Sequence, residues 1–89
     1  MLQEKLNDLI LVVESQLKLV KIKIKKNKKE LKELENELKN NKYIDKEKVC
    51  DKKERLINQT SDLDIMLYKL NKVHYRLKVC EKIINSEIE

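Results

Sequence analysis

The sequence has no glycine, no proline, no phenylalanine and no tryptophan. Without glycine or proline, tight turns lose their usual punctuation and nothing interrupts a helix. A glycine-free chain also lacks the loops that cradle nucleotide phosphates. Arginine is nearly absent: Arg55 and Arg76 are the two arginines among 21 basic residues. Sites that read nucleic-acid geometry favour arginine for its planar fork. The shortage weakens a sequence-reading role but leaves simple attraction to phosphate open. Long apolar runs are missing too. The longest, LILVV at residues 9–13, falls far short of the roughly 20 residues of a membrane span. Glu4, Asp8 and Glu14 surround it, which is unlike the apolar segment of a secretory signal. Two cysteines, Cys50 and Cys80, do not make a disulfide framework. The expected setting is intracellular, the reducing cytoplasm.

What is present points to helices. The 89 residues are 42% charged and 40% hydrophobic, a balance that suits long amphipathic helices better than a globule or a disordered tail. The length allows at most one small domain, and a compact core of that size would be marginal alone. Lys, Asn and Ile account for 36 of the 89 residues. An AT-rich genome yields that mixture, so part of the lysine excess is compositional.

Apolar residues of the first half fall at Leu2, Leu6, Leu9, Val13, Leu17, Val20, Ile24, Leu31, Leu34 and Leu38. The steps of three and four make a heptad stripe with one stutter between Leu9 and Leu17. Ile10 is set at the edge of this stripe, and Asn27 fills its one polar position. In the second half Val49, Leu56, Leu63, Leu70, Leu77 and Ile84 recur every seven residues. Thr60, Met66, Leu67, Val73, His74, Cys80 and Ile88 are expected at the core edge. Between the stripes, Asn40 and Asn41 tolerate a helix C-cap, Asp45 is a good N-cap, and Ile44 with Val49 has the spacing of a hydrophobic staple.

The predicted fold is all-α: an antiparallel two-helix coiled-coil hairpin over residues 1–89, with a helix at 2–40, a turn at 41–45 and a helix at 46–88. Ser61 and Asp64 resemble a capping box that would open a third helix, but the unbroken heptad phase favours continuity. If facing residues add to 87, Leu38 meets Val49, Leu17 meets Leu70, and Asn27 falls beside Thr60. A polar pair at that layer would pin the register.

A two-helix seam needs one stripe per helix, and this chain carries a surplus. Val12, Leu19 and Ile22 on the first helix, and Ile65, Tyr68, Tyr75 and Val79 on the second, lie away from the seam. In the same register Val12 is level with Tyr75, Leu19 with Tyr68, and Ile22 with Ile65, all toward the open end. Apolar surface of this kind marks a partner site. The expected partner is a protein: a second copy, forming a dimeric four-helix bundle, or the helices of a larger complex.

Charge divides the molecule in the same way. Residues 21–55 hold fourteen Lys and Arg against eight Asp and Glu, which leaves +6. Lys18, Lys21, Lys25, Lys28 and Lys32 step by three and four into one row. Such a row is either a solvated face or a candidate site for an anionic partner such as nucleic acid or a ribosome. Aspartates on the second helix, Asp62 beside Lys25 among them, would answer part of it.

No catalytic, cofactor or metal site is expected. His74 and Cys80 are six residues apart, so on a helix they point to different sides, and neither has the spacing of a zinc site. His74 is expected as a satisfied core-edge residue beside Val13. Cys80 is expected to pack as a small apolar residue among Leu77 and Ile84, and Cys50 to lie exposed near the turn. The triplet Asn58-Gln59-Thr60 fits a glycosylation acceptor, but a core-edge Thr60 makes the match accidental.

Overall fold

A computed structural model describes residues 2–40 and 45–88. Two helices, α1 (Leu2–Asn40) and α2 (Lys46–Ile88), lie side by side as an antiparallel hairpin. Leu, Lys and Glu favour the helical backbone, and no Gly or Pro breaks it. α2 runs unbroken through Ser61, so the capping-box pattern there starts no third helix. Glu4 in the first turn of α1 and Lys39 in its last complement the helix dipole. Asp45 caps α2: the Lys48 N–H donates to its Oδ1 at 3.3 Å and the Val49 N–H to its carbonyl oxygen at 3.2 Å. The C-cap expected of Asn41 and the staple expected of Ile44 lie outside the described residues.

The buried stripe of α1 is Leu6, Ile10, Val13, Leu17, Val20, Ile24 and Leu34. Asn27, Leu31 and Leu38 are half-buried and complete a regular alternation of four and three. This corrects the expected stutter. Leu9 is 54% exposed, whereas Ile10, at 4%, is the most deeply buried of these core side chains. Neighbouring residues project about 100° apart around a helix, so only one of the two can face α2. With Ile10 in that place the heptad never slips.

In α2, Leu56 and Thr60 are buried, and Val49, Lys53, Leu63, Leu67, Leu70, His74, Leu77, Glu81 and Ile84 are half-buried in the same alternation. Met66, Val73 and Cys80, expected at the core edge, are exposed instead. Each stands one residue before a seam position (Leu67, His74, Glu81) and is turned out of the interface. Cys80 is therefore not a packed apolar residue, and Cys50 is exposed as well. Besides the buried Thr60, three half-buried seam positions of α2 are polar, each held at its head group. Lys53 pairs with Glu35 at 3.4 Å, His74 Nε2 lies 3.3 Å from Glu14 Oε1, and Glu81 pairs with Lys78 at 3.4 Å.

Among the described residues, three side-chain bonds join the helices along the hairpin: Gln3 to Asn85 at 2.8 Å, Glu14 to His74, and Glu35 to Lys53. Each pair of numbers adds to 88, one residue to the side of seam layers that add to 87, so a single register holds along the whole length. The expected polar pin at its centre is a different thing. The Thr60 hydroxyl donates to the Leu56 carbonyl of its own helix at 2.7 Å, and among the described residues no bond joins it to Asn27. Register rests on the apolar layers and the flanking bonds.

The hairpin measures 68 × 16 × 14 Å with a radius of gyration of 19.9 Å, against about 12 Å for a compact chain of this length. Its accessible surface is 7632 Å². A compact monomer of 10.7 kDa would expose about 5,500 Å², leaving an excess of about 2,100 Å². No described side chain is completely enclosed, because two helices make a seam and not an interior.

Candidate interaction surfaces

The seam divides the remaining surface into two flanks and the outer backs of the helices. One flank, here the leucine flank, presents Leu9, Val12, Leu19 and Lys26 of α1 beside Met66, Val73 and Ile83 of α2. Its central groove, about 760 Å³, is lined by Gln16, Leu19, Lys23, Lys26, Met66 and Leu70 among others. Asp62 and Gln59 continue it toward the turn. Leu9, Val12 and Leu19 share this side because steps of three and seven return to one face of a helix. The opposite flank, the lysine flank, carries Lys18, Lys21, Lys25, Lys28 and Lys32 on α1, and Tyr68, Asn71 and Tyr75 on α2. Glu14, Glu35 and Asn85, which bond across the seam, edge the same side.

All seven residues predicted as a partner surface (Val12, Leu19, Ile22, Ile65, Tyr68, Tyr75 and Val79) are exposed, from 38% at Val79 to 71% at Tyr75. They do not form one surface. Val12 and Leu19 belong to the leucine flank, where Ile22 lines the groove beside Leu19 and Ile65 borders Met66 and Val73; Tyr68 and Tyr75 belong to the lysine flank, and Val79 to the outer back of α2. Residues at one level of the hairpin can lie on opposite sides of it, as Leu19 and Tyr68 do. Sequence reasoning missed Leu2, Leu9, Leu11, Ile57, Met66, Val73 and Ile83, all exposed, of which Leu11 lies on the lysine-flank side of Ile10. Part of their signal is a second three-four spacing, hidden because Leu2, Leu9, Met66 and Val73 were assigned to the seam; Leu2 is 70% exposed and is not a seam residue. Among the described residues, Ile57 is the one strongly exposed large apolar residue between positions 23 and 64; the rest cluster in the open half.

The five row lysines are exposed, and among the described residues none makes an ion pair. Lys25 and Asp62 share a level but face opposite flanks, so the expected partial neutralisation is absent. Lys25, Lys28 and Lys32 join Lys26, Lys29 and Ile22 on the open outer surface of α1. Beside Tyr68, Lys72 Nζ lies 4.6 Å from the ring centroid, a cation–π contact that holds one face of the tyrosine.

Among the described residues, no three His, Cys, Asp or Glu side chains converge on a point that could hold a metal ion. No helix there is long and apolar enough to cross a membrane. The fold and its surfaces define a two-helix antiparallel coiled-coil hairpin with an apolar open half and a basic arm. Compared with protein-family models, curated proteins and solved structures, the chain matches none.

Proposed function

We propose that this chain is a non-enzymatic assembly subunit of the cytoplasm, a hairpin that self-associates or docks into partner helices through its open half. The observation that carries this reading is the clustering of exposed apolar side chains there, set against a turn-proximal arm that shows almost none. Water penalises such a surface by about 25 cal/mol per Å² of apolar area left uncovered. The leucine flank gathers Leu9, Val12, Leu19, Met66, Val73 and Ile83 on one side, and an exposed apolar patch of this kind marks a partner surface. The basic arm keeps the molecule soluble and sets its orientation.

Light scattering on the purified chain, with far-UV circular dichroism in parallel, tests the reading. Association in the wild type, lost on polar replacement of the open-half residues with helicity retained, supports it. A stable helical monomer that neither self-associates nor binds any protein refutes it. A second reading rests on the unpaired lysine row: the arm binds an anionic surface such as nucleic acid or the ribosome. Affinity for duplex DNA or heparin would then fall steeply with salt. Salt-independent binding, or none at low salt, excludes that reading.

A further inference from the structure

Building on the assembly reading, we propose that the occupant of the leucine flank is a second copy of this chain. The two hairpins lie parallel, related by a two-fold axis along their length, as a four-helix bundle. In that arrangement α1 of one copy packs on α2 of the other at the same level, where residue numbers add to about 88.

Charge complementarity chooses both the flank and the direction. Along the leucine flank, α1 turns acidic beyond Lys26, with Glu30, Glu33 and Glu37, while the matching stretch of α2 offers Gln59, Arg55 and Lys52. Lys26 meets Asp62 of the second copy, Glu33 meets Arg55 and Glu37 meets Lys52; all six side chains are exposed in the single hairpin. Nearer the open end the same geometry sets Leu9 on Cys80, Val12 on the stem of Arg76 and Leu19 on the stem of Lys69. No level opposes like charges. Turning the second copy end for end, with the apolar halves still overlapping, stacks α2 on α2 and sets Asp62 against Glu87. On the lysine flank, the five row lysines would meet only Glu54 and Asp64.

The area suffices. Half of the 68 Å length by the 16 Å width projects on the order of 540 Å² per copy, or about 1,100 Å² for the pair, which clears the roughly 1,000 Å² of a specific interface. The basic arm adds the charged pairs to that apolar half. The lysine rows then face outward on opposite sides of the bundle.

Charge reversal tests the pairing. Lys26→Asp turns both symmetry-related contacts into carboxylate pairs, and Asp62→Lys turns both into lysine pairs. Sedimentation equilibrium is expected to show each variant dimerising about ten-fold more weakly than wild type. An equimolar mixture of the two restores opposite charge at both contacts, so heterodimers form with near wild-type affinity. That rescue also controls for folding, since a misfolded chain would not recover on mixing. A mixture no tighter than the separate variants overturns the parallel arrangement. A wild-type chain that remains monomeric at high micromolar concentration overturns the second copy as occupant, while docking on another protein survives. A dimer insensitive to Leu19→Lys but abolished by Tyr68→Lys moves the interface to the lysine flank, refuting the proposal and leaving the assembly reading intact. Association that withstands both substitutions refutes the two together.

Discussion

Replacing Ile10 and its neighbour Leu9 separately by alanine distinguishes the continuous heptad from a stuttered one. Ile10 is 4% exposed and Leu9 54%, although both are large aliphatic residues on the same turn. Ile10→Ala removes three carbons from the seam, about 2.4 kcal/mol at roughly 0.8 kcal/mol per carbon. Alanine recovers roughly 0.4 kcal/mol through its better helix propensity. The open edges of the seam let water or neighbours refill the space, so little is added for a cavity. The net loss is about 2 kcal/mol, close to thirty-fold in the folded-to-unfolded ratio. Leu9→Ala touches no seam contact and should cost no more than about 0.5 kcal/mol. Urea titrations followed by far-UV circular dichroism give both values, with an unchanged slope as the check that the transition is the same. They belong at a dilute and a concentrated chain, because association stabilises the folded form by mass action. Leu9 on the leucine flank should matter only in the concentrated sample. Equal losses at high dilution, or a larger loss for Leu9, would refute the unbroken seam.

The remaining predictions concern the cap, the polar layer and the cross-seam pairs. Asp45→Ala removes the side-chain acceptor at the start of α2 and should cost about 1 kcal/mol by urea titration; Asp45→Asn should retain most of the stability. Thr60→Val should change stability by less than about 1 kcal/mol, because the hydroxyl bonds its own helix at Leu56; a loss of several kcal/mol would reinstate a polar pin with Asn27. A double-mutant cycle on Glu35 and Lys53 should give a coupling of about 0.2–1 kcal/mol that weakens with added salt, since both side chains keep contact with water.

Much of the fold is legible in the residues alone. The spacing of Leu56, Leu63, Leu70 and Leu77 announces a helix with one sticky stripe, and Asp45 announces where it starts. The register is legible as well, since a single offset aligns the apolar layers along the full length. The reading failed where an apolar residue stood beside the true seam residue, whether that was apolar (Leu9 by Ile10, Met66 by Leu67) or polar (Val73 by His74, Cys80 by Glu81). Met66, Val73 and Cys80 look like better core residues than Leu67, His74 and Glu81 taken together, yet the first three are exposed. Lysine, histidine and glutamate can border a two-helix seam because it has open edges. Their stems pack while their head groups reach Glu35, Glu14 and Lys78. Apolar content therefore misled where phase would not have.

The sequence by itself determined that the chain is helical, that it doubles back once, and which layers oppose each other, because these follow from periodicity and from the lack of any residue that breaks a helix. Only the tertiary structure decided which side of the hairpin each surplus residue occupies. A shift of one position turns a side chain by about 100°, which exchanges Leu9 for Ile10 in the seam. It also carries Leu19 and Tyr68, level in sequence, to opposite flanks. Height along the hairpin is a matter of counting residues; the flank depends on how the two helices roll against each other.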